Sequence, residues 1–261
     1  MANISIVERE RRGSVEILVL NSPDTRNALN GEMRQKLGEA IERAASDPEV
    51  HALVLTGRGT AFCAGGDLRA MQEGIGVFAG RDKITSIHAW ERTLLRMEKP
   101  TIAAVNGPAI GGGLGLALAC DFVLASRTAK FGATFSRISL VPDYGLFYLL
   151  PRAVGMSRAR DMILTGRMVG AEEFASMGAV KAVSEPETLL EDALALAEQL
   201  CQTAPRALGL AKRLMQASYE SSLDQMMELE ALGQGLCYQS QDHMEGVSAF
   251  LDKRTPQYRG E

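Results

Sequence analysis

Two short, continuously apolar runs in this chain each lead directly into a cluster of glycines. Ala52–Thr56 (ALVLT) is followed by Ala61–Leu68 (AFCAGGDL), and Thr101–Val105 (TIAAV) by Asn106–Leu118 (NGPAIGGGLGLAL). Apolar runs without polar alternation are strands covered on both faces, the pattern of a parallel sheet. A glycine-rich turn between such a strand and a helix leaves helix N-terminal N–H groups without intrahelical partners. The chain is therefore expected to build parallel βαβ units whose strand ends carry free backbone donors.

The neighbouring segments fit that frame. Ser14–Leu20 (SVEILVL) has strand composition and runs into the turn-rich NSPDTRNALN. Glu32–Ala45 spaces Met33, Leu37, Ala40, Ile41 and Ala44 at helical intervals, and Asp121–Ala125 reads as a further buried strand. Beyond about Gly145 strand signals nearly stop. Met156–Leu164, Ala171–Met177, Glu187–Thr203, Pro205–Ser218 and Leu223–Gln239 all read as helices. The expected class is α/β, with a core over residues 1–200 and a helical region over 201–261. Gln72–Ser86 is glycine-rich and weakly periodic, and reads as a mobile loop near the active site.

Composition removes several function classes. With 261 residues, 46% of them hydrophobic, the chain can bury a large core without disulfides or metal. A net charge of −4 gives no basic footprint for nucleic acid. Cys63, Cys120, Cys201 and Cys237 show no metal or redox spacing and read as reduced, buried thiols. His51, His88 and His243 have neither ligand spacing nor a nucleophile to activate, so no metal and no hydrolase dyad is expected. No apolar run reaches the roughly 18–20 residues of a membrane span. Met1–Arg12 is charged rather than an apolar signal core, so a cytoplasmic protein is expected.

Free N–H groups at helix starts attract negative charge, and two of them converging would form an oxyanion hole. A dinucleotide fingerprint is a weaker reading, because Gly111–Gly115 (GGGLG) has no suitably spaced acidic partner. A Walker A loop is excluded, since no Gly-Lys-Ser/Thr follows. FCAGGDL, followed by KPTIAAVNGPAIGGGLGLALACDFVLAS, resembles the paired signature of the crotonase (enoyl-CoA hydratase/isomerase) superfamily. The likeness continues through FSRISLVPDYGLFYLLPRAVG and LTGRMVGAEEFASMGAV to EGVSAFLDKR, nearly the whole chain.

That resemblance implies a spiral of ββα units with a helical carboxy-terminal trimerisation region, assembling as a homotrimer or hexamer. It implies an acyl-CoA thioester as substrate, with coenzyme A arriving as part of it and no separate cofactor. The enolate oxygen would be held by the backbone N–H groups of Gly66 and Gly112. Arg26, Ala28, Ala64, Arg69 and Phe135 fall at substrate or coenzyme A positions of the family, with lysine in some relatives at Asn27. Phe250 and Lys253 match carboxy-terminal residues that reach coenzyme A, often from a neighbouring subunit. Asp67 reads as a helix cap.

Hydratases resembling this chain carry two catalytic glutamates, and their positions fall here on Gly115 and Phe135. The only acids from Pro100 to Gly170 are Asp121, Asp143 and Asp161. Asp121 looks structural, and Asp161, with Arg158 and Arg160 nearby, reads as a solvated helix face. Asp143, in VPDYG, can be read as a turn residue capping Tyr144–Leu150. Some isomerases of the superfamily place an acid/base aspartate there, which makes Asp143 the candidate catalytic group. Burial against Phe135, Leu146 and Phe147 would raise its pKa. Tyr144 and Tyr148 are candidate helpers, with core packing the plainer reading of both.

One carboxylate suits double-bond migration, in which Asp143 would take the C2 proton and, as the resulting acid, return a proton at C4. The expected activity is enoyl-CoA isomerisation, with a phenylacetate-pathway ring isomerase as a specific case. The alternatives are a hydratase or another crotonase-type lyase or hydrolase, and a non-catalytic acyl-CoA-binding member.

Overall fold

The computed structural model describes residues 5–72 and 74–261. Among these, nine strands form two sheets. They are β1 (Val7–Arg12), β2 (Val15–Leu20), β3 (Ala52–Gly57), β4 (Thr101–Val105), β5 (Ala109–Ile110), β6 (Phe122–Ser126), β7 (Lys130–Gly132), β8 (Met168–Gly170) and β9 (Ala182–Ser184). The larger sheet runs β1-β2-β3-β4-β6-β9, parallel except for β1, which pairs antiparallel with β2. In the smaller sheet β7 lies between parallel β5 and antiparallel β8.

Helix α1 (Gly31–Ser46) links β2 to β3, and α2 (Leu68–Met71) and α3 (Val77–Arg96) link β3 to β4. Helix α4 (Gly112–Leu118) follows β5; α5 (Leu146–Val154) and α6 (Met156–Thr165) lead to β8, and α7 (Ala171–Ser176) to β9. The chain closes with α8 (Leu189–Cys201), α9 (Pro205–Ala217), α10 (Leu223–Tyr238) and α11 (Gln241–Leu251). The strands and helices read from apolar patterning all appear, with ends shifted by no more than two residues.

Both faces of the larger sheet are covered, which explains its unbroken apolar strands. Along β2, Leu18 and Leu20 join the core that includes Leu37 and Ile41 of α1. Val15, Ile17 and Val19 point the other way, into a second layer closed by Leu189, Ala193, Leu194 and Ala197 of α8. Strand β1 has no such pattern. Its sequence, VERERR, lies on the sheet edge, where Arg9 and Arg11 reach the buried Glu16 carboxylate at 2.5 and 3.5 Å. Charge on an edge strand also discourages pairing with another chain.

The loop expected over Gln72–Ser86 is corrected by the structure: from Val77 onward the chain is helical. Helix α3 is anchored mainly by its second half, where Ile87, Trp90, Glu91 and Leu94 are buried; before them only Ile84 is partly buried against the core among its large apolar residues, and Val77 and Phe78 are exposed. A helix buried along half its length shows little period in the other half. Glu73 of that segment lies outside the described residues.

Asp121 fastens the helical region to the core. Its Oδ2 accepts from the Thr101 N–H (2.8 Å) and hydroxyl (2.9 Å) and meets Lys212 Nζ of α9 at 2.7 Å. Lys212 also donates to the Lys99 carbonyl (3.0 Å). Asp161 is held in an ion pair with Arg167, which leaves less of a solvated face than its arginine-rich helix implied. Beyond α9, the helices α10 and α11 expose Leu232, Leu236, Phe250 and Leu251.

Candidate active site

The two glycine loops are held together by backbone. The Cys63 N–H donates to Pro108 O (3.0 Å) and Cys63 O accepts from the Ile110 N–H (2.9 Å), so the end of the first loop runs beside β5. On its other side the Leu29 N–H donates to Gly65 O (2.7 Å) and the Ala64 N–H to Arg26 O (3.0 Å). Asn27 is fully buried among these segments. Its amide nitrogen lies within 2.8–3.2 Å of the Arg58, Ala61 and Phe62 carbonyls, and its Oδ1 accepts from the Ser22 N–H (2.9 Å). With its hydrogen-bonding capacity used inside the fold, Asn27 makes no outward contact of the kind a lysine could make.

Gly65 has a φ of +85°, and a Cβ there would lie 2.5 Å from Ile110 O and 3.4 Å from Gly112 N. Glycine therefore permits both the left-handed turn and the close approach of the loops. Gly66 follows at once, and Gly112 opens α4. Among the described residues, neither the Gly66 nor the Gly112 N–H donates to a backbone acceptor in the surrounding turns. Asp67 Oδ1 accepts from the Arg69 N–H (3.0 Å) and the Ala70 N–H (3.4 Å), capping α2.

Gly115 sits against the turn that carries Asp143. A Cβ there would stand 2.4 Å from both the Cβ and the carbonyl oxygen of Tyr144. Any side chain at position 115 is closed out by this turn. Gly115→Ala should lower stability by about 1–3 kcal/mol through overpacking; an unchanged urea midpoint would contradict that packing. Phe135, 7% exposed, lies under the second turn, its ring 3.5 Å from where a Gly111 side chain would begin. It can form a wall and cannot carry a proton.

The Asp143 backbone makes the turn, and its side chain takes no part. Its carbonyl accepts from the Leu146 N–H (3.1 Å), while α5 has Gly145 at its N-cap and no side-chain cap. Oδ1 of Asp143 is buried without a hydrogen-bond partner. Burial raises the carboxyl to about 6, against the opposing pull of its own N–H, Lys83 and Arg34. The expected cover is corrected in part: Leu146 is buried, but Phe147 is 59% exposed. Core packing for Tyr148 is likewise corrected, since it is partly exposed with the Arg152 guanidinium 3.3 Å from its ring centroid. The buried face of α5 is Leu146, Leu150 and Val154, which turns residues 147 and 148 outward.

Tyr144 is buried beside Asp143, edge-on to Trp90 at 6.0 Å between centroids. Its hydroxyl has no hydrogen-bond partner and is held neutral, chiefly by burial and further by the charge of Asp143. From α3 comes a carboxylate that the sequence reading missed. Glu91 is 3% exposed, its Oε1 has no partner, and that atom lies 3.4 Å from where a Gly145 side chain would begin. Burial, and then the Asp143 charge, raise Glu91 to about 7, with Arg92 opposing. The available signal was its place on the apolar stripe of Ile87, Trp90 and Leu94. Cys63 is also close, but burial pushes its thiol up to about 12, which makes it inert.

Ala28 is buried and Ala64 half-buried, and the Ala64–Arg26 hydrogen bond brings that pair of segments together. Arg26 and Arg69 are exposed. Phe250, 84% exposed, and Lys253 stand at the far end of the chain, where α11 packs mainly on α10. Phe250 there lines a separate cleft of about 700 Å³ with Arg206, Leu210, Val247, Leu251 and Tyr258. Among the described residues no group of three or more His, Cys, Asp or Glu could hold a metal ion, and no helix is long and apolar enough to cross a membrane.

The family described as Enoyl-CoA hydratase/isomerase matches residues 10–261. The 1,2-epoxyphenylacetyl-CoA isomerase of Escherichia coli is 39% identical over 94% of this chain and 95% of that protein. The 2,3-dehydroadipyl-CoA hydratase of the same organism is 38% identical over 98% of each. The crystal structure of an enoyl-CoA hydratase from Polaromonas sp. JS666 superposes with a TM-score of 0.93 at 35% identity, covering 97% of this chain and 99% of that one.

Proposed function

We propose that this chain, which belongs to the enoyl-CoA hydratase/isomerase family, is a cytoplasmic enoyl-CoA isomerase that moves a double bond into conjugation with the thioester. The observation that carries this reading is the Asp143 carboxyl, whose buried Oδ1 has no structural partner, in a chain where Gly115 and Phe135 replace the hydratase acids. Asp143 takes the C2 proton of a 3-enoyl-CoA. The electron pair spreads into the thioester carbonyl, and the oxygen rests between the N–H groups of Gly66 and Gly112. A proton returned at C4 completes the shift. Arg26 and Arg69 are assigned to the coenzyme A phosphates, with Ala28, Ala64 and Phe135 lining the path of the thioester. Family membership also supports a homotrimer or hexamer built through residues 201–261, in which Phe250 and Lys253 serve a neighbouring copy.

Turnover of 3-enoyl-, 2-enoyl- and ring-bearing acyl-CoA thioesters tests the reading. Conversion of 3-enoyl- to 2-enoyl-CoA is expected, with hydration of crotonyl-CoA slow or undetectable. Efficient hydration without isomerisation would overturn it in favour of a hydratase. Binding of acyl-CoA without turnover would favour a non-catalytic member. The ring-bearing arm is included because of the 39% identity to the epoxyphenylacetyl-CoA isomerase.

A further inference from the structure

Glu91, Asp143 and Tyr144 place three buried polar atoms without partners in one small region: Glu91 Oε1, Asp143 Oδ1 and the Tyr144 hydroxyl. Its relation to the donor loops is fixed by Tyr144, whose ring stands 2.7 Å from where a Gly112 side chain would begin. Gly145, two residues past Asp143, brings the same turn against Glu91 Oε1. A carboxyl kept only for packing would be hydrogen-bonded, because a buried acceptor left unpaired loses its hydration without replacement. Glu91 carries that penalty, since its buried Oε1 receives no hydrogen bond within the fold.

We infer that Glu91 is the second proton-carrying group of the site, returning a proton to the acyl group after Asp143 has removed one. This deepens the isomerase reading and rests on it. Two carboxyls whose surroundings separate their ionisation divide the roles of acid and base. Asp143, with Lys83 and Arg34 facing it, ionises first and is the base. Glu91, facing Asp143 with only Arg92 to favour its charge, keeps its proton longer and is the acid. Tyr144 and Cys63, both held neutral by burial, add no charge to the pair.

The step balances. Asp143 accepts the C2 proton and the electron pair passes to the thioester oxygen as the dienolate forms. When the carbonyl re-forms, C4 takes the proton of the Glu91 carboxyl and the double bond lies between C2 and C3. Asp143 is then protonated and Glu91 ionised, and transfer of one proton between them restores the starting state.

The test is Glu91→Gln, which keeps the size and neutrality of the protonated side chain but holds no transferable proton. Isomerisation kcat should fall at least about 10²-fold, the lower range for one acid/base group. In the wild type, kcat/KM against pH should be bell-shaped, rising through about 6 as Asp143 ionises and falling through about 7 as Glu91 does. Glu91→Gln should remove the falling limb and keep the rising one, a change that a packing role would not produce. In deuterated water the wild type should place solvent deuterium at C4. Wild-type kcat with an unchanged bell in Glu91→Gln, while Asp143→Asn is inactive, would overturn the inference and leave the isomerase reading intact. Intact transfer of the C2 hydrogen to C4 by the wild type would overturn it as well. Full activity in both variants would overturn both readings.

Discussion

Asp143→Asn should reduce the isomerisation kcat by about 10²–10⁴-fold while acyl-CoA affinity stays near wild type. Asparagine preserves the outline of the side chain and removes the proton acceptor. The turn should survive, because it is made by the Asp143 carbonyl receiving the Leu146 N–H and not by the carboxyl. Stability gives an independent check with a definite sign. The carboxyl rises from 3.8 to about 6 on folding, so the folded state holds its proton more tightly than the unfolded chain does. Stability is therefore lost as pH rises from about 4 to about 6, and the loss is complete above that window. Asparagine has no such loss, so the variant should be at least as stable as the wild type at pH 7.5. Calorimetric scans and single-turnover rates on one preparation separate the two effects. A folded variant with undiminished kcat would return Asp143 to the role of a turn residue.

At the oxyanion donors the better variant is Gly66→Pro, expected to lower kcat by about 10²–10³-fold, the usual loss for one donor. Gly112→Pro removes the other N–H, but its added atoms would press on the Tyr144 ring, at 2.7 Å from the first of them. At Gly66 the near neighbour of an added Cβ among the described residues is the terminal methyl of Met71, at 2.5 Å, which a flexible side chain can withdraw. KM should change less than kcat, since the donor acts on charge that develops in the transition state. A folded Gly66→Pro enzyme with wild-type kcat would remove Gly66 from the site.

What the sequence displayed was local. The glycine loops stood out because strand, turn and helix follow within a few residues, and the later helices because their apolar stripes are continuous. Strand β1 did not, since a charged edge strand lacks alternation between apolar and polar residues; its partner Glu16 was needed to see why Arg9 and Arg11 belong there. The front half of α3 was unreadable for a related reason, as its anchoring lies mainly in the second half. Glu91 was missed because the search for acids followed the positions of the family's glutamates, between Pro100 and Gly170, whereas α3 delivers this one from earlier in the chain. The surroundings of Asp143 were misjudged at Phe147, where adjacency in sequence was taken for adjacency in space. Helical geometry turns that ring away.

The stitching of the glycine loops has a consequence for the energetics of charge. The Cys63 bonds to Pro108 and Ile110, the Leu29 bond to Gly65 and the buried Asn27 amide fix the peptide planes around both donors without help from any residue proposed to move a proton. Their dipoles are already oriented before an enolate exists. Water would have to turn its dipoles toward the new oxygen charge, and that rotation is a reorganisation energy paid during the reaction. In the proposed reaction it is met during folding, by main-chain pairing, and would be absent from the barrier.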